Sequence, residues 1–160
     1  NTAQEIIDDF GSDLDMVVMG VGTGGTLTGI GKRLKEHNPH IQIIGADPYG
    51  SILGGEDEYK GQPYKVEGIG YDFIPKTFEP EIADKFIKVN DKEAFTTARA
   101  LIREEGLLIG GSCGSAMFAA LKAEKSIKKG QNCLVILPDS IRNYMRKFLS
   151  DDWMKENDII

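Results

Sequence analysis

Residues 18–26 read VMGVGTGGT, with glycines at 20, 22, 24 and 25 and threonines at 23 and 26. Bare backbone at this density lets the main chain come close to an anion, and two hydroxyls add hydrogen bonds. An apolar run, DMVVMGVG, leads in, and an amphipathic one, LTGIGKRLKEHN, leads out, so the glycines fall where a strand turns into a helix. Unpaired N–H groups at a helix N-terminus suit that junction to phosphate. Gly22, Thr23, Gly24, Gly25 and Thr26 are the residues that would hold it.

Three readings of the loop stand side by side. Gly20, Gly22 and Gly25 satisfy G-x-G-x-x-G, and Asp47 closes the next strand about 20 residues on, as a dinucleotide site requires. Keeping Gly24, Gly25 and the hydroxyl of Thr26 in the turn itself instead suits a compact phosphate monoester. A purely structural glycine turn is the third reading. A Walker loop is excluded, because no Lys-Ser or Lys-Thr pair follows the glycines.

Two further stretches carry candidate chemistry. GLLIGGSCGS, at 106–115, repeats the layout of strand, paired glycines and hydroxyl, and sets Ser112 at a mouth of the sheet. A helix cap would account for that serine, but not for Gly110, Gly111 and Gly114, which suit a flat ring lying against backbone. VEGIGYDFIP, at 66–75, puts Gly68 and Gly70 beside Tyr71. A turn followed by a buried aromatic is the plain account; a functional one gives the glycines hinge freedom, so that Tyr71 can approach a ligand.

The elements that must position these residues follow from periodicity. A helix is expected over 2–10, a strand over 15–21, a helix over 26–37 and a strand over 41–46. Residues 47–91, rich in Gly, Pro and aromatics, read as loops with short strands or turns. Order returns with a capped helix from 91 that ends at Gly106, a short strand at 107–110, a helix from about 112 towards 130, and a strand at 132–138. The alternation predicts an α/β fold, a parallel sheet with helices on both faces.

Bulk properties narrow the function. The chain has 160 residues, 41% of them apolar, enough for one domain with a real core. A net charge of −6 with no basic block argues against nucleic acid and anionic membrane, and leaves small solutes as partners. No apolar run reaches the ~18 residues of a spanning helix, and the N-terminus lacks a secretion-signal layout, which reads as a soluble, cytoplasmic protein. Cys113 and Cys133 fit no metal or redox spacing; Cys113 reads as small buried filler and His37 and His40 as a polar turn, so no metal is expected. The acid-rich GGEDEYKG, 54–61, reads as a solvated loop. Opening on Asn1, the chain reads as a piece of a longer polypeptide.

GTGGT at 22–26, VEGIGYDFIP at 66–75, EEGLLIGGSCGS at 104–115 and VILPDSIRNYMRKFLSDDWM at 135–154, in this order, resemble the cystathionine beta-synthases. These are pyridoxal-phosphate enzymes of fold type II, the tryptophan synthase beta type. The resemblance spans essentially the whole chain and implies the C-terminal part of a catalytic core, the portion that holds the cofactor phosphate. By the same resemblance, Gly22, Thr23, Gly24, Gly25 and Thr26 bind the phosphate of pyridoxal 5'-phosphate and Ser112 faces its pyridine nitrogen. Tyr71 and Gly70 are the catalytic candidates, Tyr71 orienting a polar second substrate. The implied reaction replaces the hydroxyl of L-serine with the thiol of L-homocysteine.

The family's cofactor-linked lysine, the asparagine beside the cofactor 3'-oxygen and the loop gripping the substrate carboxylate belong upstream of Asn1. The resemblance therefore implies half an active site, inactive alone, completed by the upstream half of the same polypeptide in a homodimer. Lysines 32, 35, 122, 125, 128 and 129 fall on helix faces or ends and read as solvated charge. Cysteine synthase, acting on O-acetylserine and sulfide, is the nearest rival; the Tyr71-Asp72 pair and SIRNYMRKF favour cystathionine beta-synthase. A dinucleotide-binding domain is the rival outside the class.

Overall fold

The computed structural model describes residues 1–55 and 58–160. Glu56 and Asp57, and with them the centre of the acid-rich loop expected at 54–61, lie outside the described residues. Among those described, strand β1 (Leu14–Gly20) is the axis of the fold. It pairs in parallel with β2 (Gln42–Pro48) on one side and β4 (Asn132–Val135) on the other, and β3 (Lys85–Val89) extends the sheet beyond β2, giving the order β3-β2-β1-β4.

A parallel sheet needs a crossover between successive strands, so helices must cover both faces. Val17, Met19 and Val21 of the β1 segment, with Ile43 of β2, pack under α1 (Thr2–Phe10) and α2 (Gly25–His37). The alternate residues Met16, Val18, Ile44 and Ala46 face the other way, against Ala119, Ala120 and Ala123 of α4 (Gly111–Ala123). Residues 16–19 of β1 are buried to within 1%. Burial on both faces explains why VVM is continuous rather than alternating, each such side chain contributing about 1.5–3 kcal/mol.

Helix α3 (Asp91–Glu105) lies against α4 and begins with a complete capping box: the Asn90 side chain accepts the Glu93 N–H, and the Glu93 carboxylate accepts the Asn90 N–H. Helix α5 (Asp151–Glu156) seats Trp153 edge-on to Phe95, which stacks on Phe148. No helix among the described residues is long and apolar enough to cross a membrane.

Three details depart from the sequence reading. Residues 107–110 form no strand; Ile109 makes a single antiparallel bridge to Ser140, since the segment lies outside the sheet and has no neighbour to pair along. Helix α4 stops at Ala123 and passes through a 3-10 turn at Glu124–Ser126, after which the Lys-Lys-Gly stretch is turn rather than helix. Strand β4 ends at Val135, although the Ile136 N–H still reaches the Val18 carbonyl at 2.9 Å.

Candidate active site

In the order β3-β2-β1-β4, the chain leaves β1 towards β2 and returns much later to β1's opposite side as β4. Connections leaving in opposite directions open a crevice at the carboxyl ends of two neighbouring strands. A cavity of about 290 Å³ lies there, between the end of β1, residues 22–27, Gly68-Ile69, Ser112 and Pro138-Asp139.

Its floor has the donors of an anion site. Helix α2 starts at a left-handed Gly24 (φ +80°) and no side chain caps it. The Thr28 N–H donates to the Gly24 carbonyl at 2.9 Å, while the amides of Gly25, Thr26 and Leu27 find no acceptor among the described residues. Unpaired amides at the positive end of a helix favour an anion. Helix α4 begins likewise after Gly110, uncapped, with the amides of Gly111 and Ser112 finding no acceptor among the described residues. Ser112 is therefore not the helix cap: it is the second helical residue, buried, and lines the cavity.

The glycines of the loop divide by cause. A Cβ on Gly22 would lie 2.5 Å from the Gly68 carbonyl oxygen, and one on Gly24 would lie 2.4 Å from Phe78. Those two are small because residues 68–78 press on them. A Cβ on Gly25 would meet only Thr23 Oγ1, at 4.0 Å, so space there is open to a ligand. Thr77 donates its hydroxyl to the Thr23 carbonyl at 2.6 Å, a second tie between the two segments.

Gly22, Thr23, Gly24, Thr26 and Ser112 thus converge on one cavity. Gly25 lines instead an adjoining groove against Asn1–Gln4 of α1. Tyr71 and Gly70 are not part of the cavity wall. Tyr71 is half-buried, its ring tilted on Phe73 at 4.9 Å, and Ser51 clasps its backbone: the Ser51 hydroxyl donates to the Tyr71 carbonyl at 3.2 Å and accepts the Tyr71 N–H at 3.0 Å. Gly70 is pinned, its N–H on the Val21 carbonyl at 2.8 Å and its Cβ position 2.4 Å from Pro48. Of the two glycines expected to act as hinges, only Gly68, at φ +85°, has open space where a Cβ would stand, and its carbonyl packs on Gly22.

Asp47, the acid of the dinucleotide reading, is fully buried. Its Oδ2 accepts the Gly54 N–H at 2.9 Å and Lys88 Nζ at 2.7 Å, and complete burial keeps its Oδ1, which has no partner among the described residues, from reaching a ribose. Burial pushes the Cys113 thiol up from its ordinary range, which makes it the filler expected rather than a nucleophile. Lys32 and Lys35 pair with Glu79 and Asp84 on the face of α2.

The family described as PALP, pyridoxal-phosphate dependent enzyme, matches residues 1–139. The chain belongs to the pyridoxal-phosphate dependent enzyme family. Cystathionine beta-synthase of Dictyostelium discoideum is 52% identical over 161 residues, which cover 99% of this chain and 32% of the relative. That of Oryctolagus cuniculus is 55% identical, covering 96% and 28%. The solved structure of an O-acetylserine dependent cystathionine beta-synthase from Helicobacter pylori superposes with a TM-score of 0.84 at 41% identity, over 92% of this chain and 47% of that one. The chain thus spans about a third of the length of the curated relatives it matches, and its fold is that of the fold type II enzymes.

The cofactor of the family is pyridoxal phosphate, and the residues present fit it. Three unaccepted amides and the hydroxyl of Thr26 surround the start of α2, the Gly25 cradle is open, and an uncharged hydroxyl stands at the start of α4. Sequence reasoning missed Asp139, which shares the cavity, Tyr144, which holds Asp139, and Ser51 behind Tyr71. The signal for the first was an acid just past an apolar strand end, in VILPDS.

Proposed function

We propose that the protein carrying this chain performs pyridoxal-phosphate-dependent β-replacement, condensing L-serine with L-homocysteine to cystathionine. The convergence of an uncapped helix start and Ser112 on one cavity at the β1/β4 crevice carries this reading. When bound, the cofactor supplies the electron sink that lets the serine hydroxyl leave. Residues 22–26 fix its phosphate through backbone amides and the hydroxyl of Thr26. Ser112 would offer the pyridine nitrogen a neutral hydroxyl rather than a carboxylate, which would moderate the sink. Tyr71, two residues past the cavity-lining Ile69, orients the second substrate. The lysine that carries the cofactor comes from the upstream half of the polypeptide, and the assembly is a homodimer. The names of the relatives at 52% and 55% identity support cystathionine as the product.

The test uses the full-length protein, with cystathionine measured from L-serine and L-homocysteine. Tyr71→Phe should weaken the homocysteine half-reaction more than the serine half-reaction, by about 1–3 kcal/mol for one lost hydrogen bond to a charged partner. Rapid-mixing absorbance separates the two. Equal loss in both makes Tyr71 a structural support. The Helicobacter pylori structure favours a second reading, with O-acetylserine as the first substrate; turnover of O-acetylserine with sulfide and indifference to homocysteine would establish cysteine synthase instead.

A further inference from the structure

Asp139 is the one titratable side chain that lines the 290 Å³ cavity among the described residues. A bare carboxylate there would compete with Ser112 for whatever the cavity holds. Both of its oxygens are engaged elsewhere. Oδ1 accepts the Ser140 N–H at 2.8 Å, and Oδ2 accepts the Tyr144 hydroxyl at 2.5 Å. Its carbonyl accepts the Gly110 N–H at 3.1 Å and the Cys113 thiol at 3.6 Å, which ties it to the turn that opens α4. A Cβ on Gly110 would lie 2.6 Å from Oδ2 and 2.9 Å from Tyr144 Cε2, so a glycine is what lets carboxylate and ring close over the turn two residues ahead of Ser112. The Tyr144 ring rests on the fully buried Phe148, centroids 5.8 Å apart. Burial and the Asp139 contact push the Tyr144 hydroxyl above its ordinary range, so it remains a donor at neutral pH.

We infer that Tyr144 is a positioning residue that masks Asp139, so that the uncharged Ser112 is the polar group presented to the cofactor ring. The inference rests on the reading that Ser112 faces the pyridine nitrogen. Freed from Tyr144, Oδ2 would be an unpaired acceptor in the cavity it shares with Ser112; a proton taken from solvent could then be held between carboxylate and ring nitrogen, which would keep the ring protonated.

The full-length protein, reconstituted with pyridoxal phosphate labelled with ¹⁵N in the ring, gives a direct readout. Tyr144→Phe should move the ring ¹⁵N resonance upfield, towards the protonated-pyridine position, and shift the visible absorption with it. The double variant Asp139→Asn, Tyr144→Phe should return both. Ser112→Asp, which plants a carboxylate at the nitrogen, should move the resonance by itself. If Ser112→Asp moves it and Tyr144→Phe does not, the masking is overturned and the placement of Ser112 stands. If Ser112→Asp leaves it unmoved, the placement fails, and the masking with it. A double variant that stays shifted removes Asp139 as the source and overturns the masking. Should Tyr144→Phe not fold, as thermal unfolding would reveal, the wild-type resonance still decides: a protonated ring there overturns the inference.

Discussion

Replacing Thr26 with valine keeps the shape of the side chain and deletes one hydroxyl on the cavity wall. If that hydroxyl donates to a phosphate oxygen, the loss is about 1.5–3 kcal/mol, and cofactor affinity, followed by fluorescence during reconstitution, should fall about tenfold or more. Unchanged affinity would place the phosphate elsewhere. At this scale the sequence was a good guide to what lines the cavity and a poor one to what supports it. Five hydroxyl and glycine residues reach one cavity because a strand-to-helix junction is a local feature, legible from spacing. The cause of smallness at Gly22 and Gly24 is not local: it is Gly68 and Phe78, more than forty residues away. The same holds for Ser51, whose hydroxyl serves Tyr71 across the long loop.

Strand β3 shows what periodicity leaves out. KFIKV is short, lies at a sheet edge, and sets Lys85 and Lys88 on either side of half-buried Phe86 and Ile87 with no alternation, so it resembles the loops around it. Yet Lys88 joins β3 to Asp47 of β2 and also donates to the Ser51 carbonyl at 2.5 Å. Lys88→Met would leave a fully buried carboxylate without its cation, at a cost of about 3–5 kcal/mol in the denaturation free energy. Asp47→Asn added to it should recover part of the loss; no recovery would remove the charge as the cause. Helix α5 is held to α3 by an ion pair between Arg99 and Asp151, which draws the exposed Asp151 carboxyl below its usual range. A depressed carboxyl stabilises the folded state above the ordinary carboxylate range and loses that contribution as pH falls through its folded value. Acid titration of Trp153 fluorescence, in a background where it is the only tryptophan, should show this step, and Asp151→Asn should flatten it. The long helices and central strands were legible throughout, because their apolar patterns run for many residues; 107–110 misled because an apolar tetrad cannot say whether a neighbour exists.

Taken whole, the chain presents Phe73, Ile74, Leu108 and Met145 at 50% exposure or more, and its candidate site carries no lysine on the cavity wall. Expressed by itself and treated with pyridoxal phosphate and borohydride, it should yield no single stoichiometrically labelled lysine on peptide mapping; one dominant site would show that these residues suffice for cofactor attachment. The mating of residues 20–24 with residues 68–78 has a consequence in time. Helix α2 and its neighbours form from near contacts, but the geometry of the glycine loop depends on partners brought in by closing a long stretch of chain, and such contacts form slowly. In refolding, far-ultraviolet circular dichroism should recover before the capacity to retain cofactor does. If residues 22–26 seat the phosphate as proposed, a nascent chain released before residues 68–78 emerge would lack the partners that shape that loop, so cofactor capture would wait on a distant part of the chain.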